Sequence, residues 1–431
     1  MWGLGYHQCR WSYYPESQVR EIAKNFRKHQ IPCDAIYLDI DYMDNYKVFT
    51  WNKERFPNPK KMIADLQKEG FQTIVMIDPG IKIEEKYKVY ESGKKQDVFC
   101  KRPDGDLMIG PVWPPRTVFP DYTNPRVRDW WAELYEDFMS GLKISGIWND
   151  MNEPAVFDVL SKTFPNDIRH NYEGHPCSHR KAHNIYGMQM ARASLQGIKK
   201  HNPDKRPFLL TRANFSGGQR YAALWTGDNI ASWDHLRLAN EQCVRLSISG
   251  YSFCGTDIGG FVDTPDAELY TRWLQLEVFH PLFRTHSMGY NVEGAAAVKQ
   301  DEVEQRQAEL ERKREPWTFA EKITKISRKT IELRYKLLSY LYTAFRKYVT
   351  EGTPILQPVV FYDQSDEHTF SSNNDFMFGD QILVSPVLEK NQRTKHLYLP
   401  KGRWYHFWDD TLLEGRQQHK VSTPSAGSRF L

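Results

Sequence analysis

The sequence has no apolar run of the ~18–20 residues that a membrane-spanning helix needs. It has no CxxC pair. Its six cysteines, at 9, 33, 100, 177, 243 and 254, are scattered, which argues against a disulfide framework and for buried thiols. It has little net charge: Lys and Arg number 58 and Asp and Glu 54, a balance of +4 over 431 residues. No basic run is interleaved with aromatics, so the electrostatic footprint of a nucleic-acid binder is missing. No glycine-rich phosphate loop follows the first strand-like run, which weakens a dinucleotide-binding reading. No basic segment leading into an apolar core opens the chain. A cytoplasmic location is the expectation, unless the chain begins inside a longer parent.

What the sequence does have is aromatic residues and a regular alternation. The 13 Trp, 23 Tyr and 23 Phe make up 14% of the chain. Most must fill the core, but aromatic faces also stack on the C–H faces of sugar rings. Eight short β-rich runs cover 3–9, 34–41, 71–78, 143–150, 207–212, 222–228, 251–257 and 279–286. Helix-like stretches lie between them at 16–29, 58–69, 125–142, 180–201, 234–249 and 264–278. Strands that alternate with helices predict βαβ units and a parallel sheet, and eight units predict an α/β fold of the (β/α)8 TIM-barrel type. Residues 293–315 read as a charged surface helix in the last βα loop, and 321–350 as the final amphipathic helix. From about 354 the text changes to short alternating strands with turn residues. The expected division is a catalytic barrel over 1–353 and a small, apparently incomplete antiparallel β-domain over 354–431.

Acids mark the strand ends. Asp39, Asp41, Asp78, Asp150, Asp228 and Asp257 each fall at the C-terminal end of a predicted strand, as do Arg212 and His286. The C-terminal face is where βα loops gather and where barrel enzymes place their chemistry. Two carboxyl groups held face to face can divide nucleophilic and acid/base work between them. Asp150 and Asp228, on two nearby strands, can face one another across a barrel mouth. Asp150 and Glu153 make a poorer pair, because they share the short segment "WNDMNEP" and a proline ends it.

The runs "DIDYMD" (39–44), "WNDMNEP" (148–154), "TRANFSGGQRYAALWTGDN" (211–229), "GTDIGGF" (255–261) and "FRTHS" (283–287) together resemble glycoside hydrolase family 31, and within it the α-glucosidases. The resemblance extends from residue 1 to about 420, in the family's order. It implies a retaining, exo-acting α-glucosidase with Asp150 as nucleophile and Asp228 as general acid/base. It implies that Asp39 accepts hydrogen bonds from the far side of a glucose ring. It places Arg212 and His286 near the hydroxyls closer to the anomeric carbon, with Arg212 also orienting Asp228. Trp11, Met76, Trp113, Trp148, Met151, Trp225 and Phe261 match positions lining the pocket. Asp257 is either a ligand contact or a buried support. Glu153, Asp41 and Asp44 fit a structural role. No cofactor and no metal are implied. The expected partner is an oligosaccharide or α-glucoside, with no nucleic acid and no membrane.

Other readings stay on the same barrel or leave it. An α-glucosyl transferase shares the glycosyl-enzyme intermediate, and an α-xylosidase differs in the room left for a 6-hydroxymethyl group. Members of the family carry an N-terminal β-sandwich that this chain does not show, so a truncated, weakly active sugar-binding scaffold is the third reading. Faces that the missing domains would cover are expected to promote self-association. Locally, His170, His175, Cys177, His179 and His183 are close enough in sequence to suggest zinc, but a single thiol and a helix start argue against it. "SGGQR" (216–220) lacks the rest of a phosphate-loop motif and reads as a tight turn. "PNPKK" (57–61) reads as a helix start.

Overall fold

A computed structural model describes residues 1–157, 159–288, 314–372 and 374–423. Each of the eight expected runs contains one barrel strand: β1 (Tyr6–Gln8), β2 (Ala35–Leu38), β3 (Gln72–Ile77), β4 (Gly146–Asn149), β5 (Leu209–Thr211), β6 (Ala223–Trp225), β7 (Cys254–Gly255) and β8 (Phe283–Thr285). All neighbouring pairs are parallel, in the order β7-β6-β5-β4-β3-β2-β1-β8. A parallel bridge between Asp257 and Arg284 joins the two ends, supported by Leu282 N–H donating to Cys254 O at 3.0 Å. The result is a closed barrel. Its strands are buried along almost their whole length because side chains fill the interior on one face and helices cover the other.

The helices follow the expected stretches. α1 (Glu16–Lys28) comes first, and α2 (Pro59–Lys68) starts where "PNPKK" predicts, with Asn58 as its cap accepting from Lys61 N–H at 3.0 Å. α3 (Lys88–Lys95) is an addition that the sequence reading did not contain. α4 (Pro125–Glu133) ends earlier than expected, and a separate wide-turn segment covers Asp137–Gly141. α5 (His179–His201), α6 (Trp233–Ile248) and α7 (Ala267–Glu277) match within a few residues. The single helix expected over 321–350 is two, α8 (Glu321–Lys336) and α9 (Leu338–Glu351), broken at Leu337. The helix expected over 293–315 falls almost wholly outside the described residues.

Two departures from regularity shape the site. After β3 the chain makes an excursion in which residues 81–82, 109–110 and 117–118 form a small antiparallel sheet. Between β5 and β6, residues 212–222 carry only the tight turn Gly218–Arg220. Here Gly217 has φ +92°, and a Cβ on Gly218 would stand 1.6 Å from Asn214 Oδ1. Both glycines are therefore required by the turn, as "SGGQR" suggested. The segment itself contains no α-helix. Beside it lies a hollow of about 750 Å³ lined by Glu153, Arg212, Trp225, Asp228 and the α6 residues Gln242 and Arg245.

After α9 the chain is built from short antiparallel strands. β9 (Leu356–Pro358), β10 (Phe376–Phe378) and β11 (Ile382–Val384) form one sheet. β12 (Thr394–Leu399) pairs with β15 (Gln417–Ser422), and β13 (Arg403–Tyr405) with β14 (Leu412–Glu414). The first sheet is sewn to the barrel. Ile355 N–H donates to Ser252 Oγ and Leu356 N–H to Ser247 Oγ at 3.1 and 3.0 Å, and Phe279 packs edge-on against Phe378.

Candidate active site

The site is assembled at the C-terminal ends of the barrel strands. β4 delivers Asp150, whose amide N–H is still held by Ile77 O of β3 at 3.3 Å. The chain then turns sharply, with Met151 at φ +54°, a left-handed backbone that a side-chain-bearing residue adopts at a cost. What holds it there is Asn152, a fully buried residue that the sequence reading passed over. Its Nδ2 donates to Thr211 Oγ1 at 2.9 Å and to Gly187 O at 3.3 Å, and its Oδ1 accepts from Ala213 N–H at 3.1 Å. One amide thus ties the Asp150 loop to β5 and α5.

β5 delivers Arg212, the hub of the charged groups. Glu153 receives it bidentately, Nε at 2.7 Å and Nη2 at 3.1 Å. Asp150 Oδ1 lies 3.4 Å from Nη1 and Asp228 Oδ2 lies 3.9 Å from that same nitrogen, so these two oxygens are at most about 7.3 Å apart, the sum of the two. Glu153 therefore orients the arginine, the structural role expected of it. Asp41 and Asp44 likewise pair with cations, Asp41 with Arg55 at 3.3 Å and Asp44 with Lys47 at 2.7 Å.

The two carboxyls differ in setting. Asp150 is buried, with its side chain 12% exposed, whereas the Asp228 side chain is 48% exposed at the rim. Burial raises the Asp150 pKa to about 6; Arg212 pulls it down and Asp228 and Glu153 push it up. Asp228 is also raised, by desolvation of its carboxyl and then by Glu153, while Arg212 opposes this and the tip stays open to water. Arg212 is nearer to Asp150 and favours the ionised form there more strongly.

Opposite them, β2 delivers Asp39, which accepts from Ile40 N–H at 2.6 Å and keeps Oδ2 3.8 Å from His286 Nε2. The His286 ring packs edge-on to Trp148 at 5.1 Å and against Phe261 at 4.8 Å. Burial keeps this imidazole neutral, with Arg284 and Arg314 adding to the effect. Asp39, Asp150, Arg212, Asp228 and His286 line one cavity of about 280 Å³, walled by Trp11, Met76, Trp113, Trp148, Met151 and Phe261. That is near the lower end for small-ligand sites and suits one small ring-sized group. Ile40, Ala155, Val156, Phe157 and Lys162 complete the wall. Nothing in their residue types set these five apart in the sequence.

Two expected contacts lie elsewhere. Trp225 borders the neighbouring hollow and packs edge-on against Trp148 at 5.6 Å. Asp257 is fully buried and bound to Arg284 at 2.7 Å, behind the cavity rather than in it. Of the two roles left open for Asp257, the geometry is that of a buried support. Asp78, at the end of β3, is buried next to the cavity, with its carboxyl pushed well up by burial and then by Asp150.

The histidine-rich stretch forms a ladder. His170 Nδ1 stands 2.9 Å from Asp121 Oδ1, His170 Nε2 3.0 Å from His179 Nδ1, and His179 Nε2 3.0 Å from His183 Nδ1. Cys100, Asp121 and His170 are close enough to share an ion. However, both Asp121 oxygens are already occupied, by His170 and Thr123 on one side and by Asn171 N–H on the other. The ladder reads as hydrogen bonding that anchors the 169–183 loop. Cys9, Asp39 and His286 form a second such group at the cavity floor. There burial keeps Cys9 a thiol, and the Arg284 charge beside it disfavours a cation.

α5 approaches this site through Gly187. A Cβ there would stand 2.5 Å from Asn152 O and 2.8 Å from Ala213 Cβ. Gly187→Ala is therefore expected to destabilise the protein by about 1–3 kcal/mol and to displace the Asp150 loop. Thermal melting and turnover measured on one preparation check this, and a variant with unchanged melting and turnover contradicts the packing described.

Comparison with known proteins gives a consistent result. The glycosyl hydrolases family 31 TIM-barrel domain matches residues 1–344, and the glycosyl hydrolase family 31 C-terminal domain matches residues 352–429. The chain is 44% identical to Alpha-glucosidase 2 of Bacillus thermoamyloliquefaciens over 98% of its length and 51% of that protein. It is 38% identical to human Neutral alpha-glucosidase C over 94% of its length and 43% of that protein. The fold matches a chain of the ER glucosidase II heterodimeric complex with a TM-score of 0.90, at 34% identity, covering 99% of this chain and 44% of that one. It matches a GH31 dextranase of Flavobacterium johnsoniae complexed with glucose with a TM-score of 0.88, at 34% identity, covering 99% and 51%. The chain thus spans about half the length of the curated relatives it matches.

Proposed function

The chain belongs to glycoside hydrolase family 31, and from that premise we propose that it is a retaining, exo-acting α-glucosidase whose catalytic barrel is residues 1–353 and whose β-domain is 354–431. The observation that carries this reading is the shared arginine. Arg212 Nη1 contacts both Asp150 and Asp228, which limits the separation of their nearer oxygens to about 7.3 Å. A retaining pair stands ~5–5.5 Å apart and an inverting pair ~6.5–9.5 Å, so most of the inverting range is too wide.

The mechanism follows from the two settings. Asp150, ionised above a pKa of about 6, attacks the anomeric carbon as the bond to the departing oxygen breaks. Asp228, raised and open to solvent at the rim, donates its proton to that oxygen. The glucosyl ester on Asp150 is then attacked by water, whose proton returns to Asp228. Two inversions restore the α configuration. Asp39 and His286 bind the far hydroxyls, Arg212 the nearer ones, and Trp11, Trp113, Trp148 and Phe261 stack around the ring. The named relatives include α-glucosidases and a dextranase, so α-linked glucose is the feature their substrates share.

Nitrophenol release from the α-glucoside, α-xyloside and β-glucoside tests the reading. Cleavage of the α-glucoside alone is expected. Preference for the α-xyloside, or no cleavage by folded protein, overturns it. The rate should also carry the Asp150 pKa. Since the nucleophile must be ionised, kcat/KM is expected to fall below pH about 6. A profile flat from pH 7 to 4.5 contradicts the assignment.

We also propose self-association through exposed apolar surface in the C-terminal region, where Phe361, Phe370, Tyr405 and Phe407 are each at least 46% exposed. Light scattering at tens of micromolar should give a mass above the 50.7 kDa of one chain; a monodisperse monomer contradicts it.

A further inference from the structure

Arg284, in the middle of β8, never reaches the cavity. It is wholly buried, and among the described residues its ion pair joins Nη2 to Asp257 Oδ1 at 2.7 Å. Its Nε and Nη1, and Asp257 Oδ2, have no hydrogen-bond partner among the described residues. The guanidinium is instead surrounded by aromatic faces. Its carbon lies 5.0 Å from the Trp148 ring centre, 4.9 Å from Trp225 and 5.4 Å from Tyr37. Burying a charge pair with so few hydrogen bonds is costly, and apolar residues of similar size are often as stable or more so. Stability alone is therefore a poor reason for this arrangement.

Its position suggests another. Trp148 stands two residues before Asp150 on β4, and Trp225 three residues before Asp228 on β6. One cation thus holds, from behind, the two rings carried by the strands that deliver both carboxyls. Trp148 in turn forms one side of the His286 slot. We propose that Arg284 is a positioning residue of this site: it fixes Trp148 and Trp225 from inside the barrel, and it places a positive charge two residues before His286, whose ring has both to accept and to donate a hydrogen bond to the substrate. The catalytic half of this proposal rests on the α-glucosidase reading; the electrostatic half does not.

Among the described residues, Asp150, Arg212 and Asp228 share the cavity with His286, and further charged or titratable groups stand about the ring. Asp39 faces its Nε2 at 3.8 Å from the end of β2, and Cys9 from the end of β1. Arg284 lies on its own strand, with Asp257 behind it at the end of β7. Arg314 approaches from the segment before α8, where its Nη1 donates to Phe261 O at 3.1 Å. Burial is the largest influence holding the ring neutral, and Arg284 comes next. Burial pushes the Asp39 carboxyl well above the ordinary carboxylate range, so what a neutral residue at 284 changes is the positive charge beside the ring, and protonation becomes easier.

The test uses Arg284→Lys and the double variant Arg284→Met/Asp257→Asn, which leaves no orphan charge in the core. Histidine proton resonances are followed against pH, with His286 identified among the 14 histidines by its absence in His286→Gln. In the wild type and in Arg284→Lys, His286 is expected to titrate well below the ordinary imidazole range. In the double variant its midpoint should move up toward that range. KM for the α-glucoside should then rise about three- to tenfold at pH 5.5, and less at pH 7.5, with the melting temperature little changed. Should the double variant not fold, Arg284→Gln replaces it with the same expectation for His286.

A His286 titration identical in the wild type and the charge-free variant overturns the proposal, whatever the activity. So does an unchanged KM at both pH values. A moved titration in a protein whose wild type cleaves no α-glucoside has a different meaning: it sinks the functional reading and leaves the electrostatic role of Arg284 standing.

Discussion

Asp150→Asn is expected to lower turnover of an aryl α-glucoside on the order of 10⁴–10⁶-fold, the scale seen when a covalent nucleophile is lost. The change is isosteric. Asn has no lone pair basic enough to form the glucosyl ester, so the first half of the reaction stops. The fold should not suffer. Arg212 keeps its bidentate contact with Glu153, so no cation is orphaned. The stability effect should even be neutral or favourable at neutral pH. Asp150 has a folded pKa of about 6, above its unfolded value near 3.8, because burial penalises the charged form. A group shifted in that direction favours folding at low pH and loses this contribution as pH rises from about 4 to 6. Replacing it with a neutral amide removes the penalty carried at pH 7. Turnover and thermal melting on the same sample check both halves. An inactive protein that melts early would show only that the site had collapsed.

Asp228→Ala is expected to cost about 10²–10⁴-fold, and the loss should depend on the leaving group. A sugar leaving group needs its proton, and the full loss should appear with disaccharides. A dinitrophenolate departs without one, so its release should be nearly spared in the first turnover. The second step still needs a base to activate water, so the steady state should slow and a burst should appear. The exposure of Asp228 at the rim is what this role requires, since its proton must exchange with both the leaving group and the incoming water. Equal losses with disaccharide and dinitrophenyl substrates would remove Asp228 from the acid/base role.

Much of this site can be read in the sequence because barrel strands are buried on both faces. Runs such as "DAIYLDID" and "KISGIWND" announce themselves as apolar blocks, and the first acid after each block sits at the catalytic face. That is why Asp39, Asp150 and Asp228 come out of a reading of residue order alone, helped by the family resemblance. The residues that hold them are harder to read. Asn152 lies in the same quoted motif as Asp150, yet its three hydrogen bonds reach to residues at 187, 211 and 213, contacts that exist only in the closed barrel. Arg284 stands in "FRTHS" one residue away from a fully buried Thr285, and neither its burial nor its aromatic surround has a local signal. Trp225 shows the converse: residue type and motif suggest the cavity wall, but the geometry sets it against the neighbouring hollow; Asp257, open between ligand contact and support in the sequence, is paired with Arg284 behind the cavity. The excursion over 81–118 escaped for another reason. Its strands are two residues long and α3 is mostly polar, so no periodicity rises above the loop background.

The central claim is that Asp150 and Asp228 act as a retaining pair. Proton NMR of the glucose first released from an α-glucoside, recorded faster than mutarotation, tests it most directly. The account predicts that α-glucose appears first and β-glucose grows in only as the solution equilibrates. β-Glucose as the initial product would mean single-step inversion by an activated water, and would contradict the covalent role of Asp150.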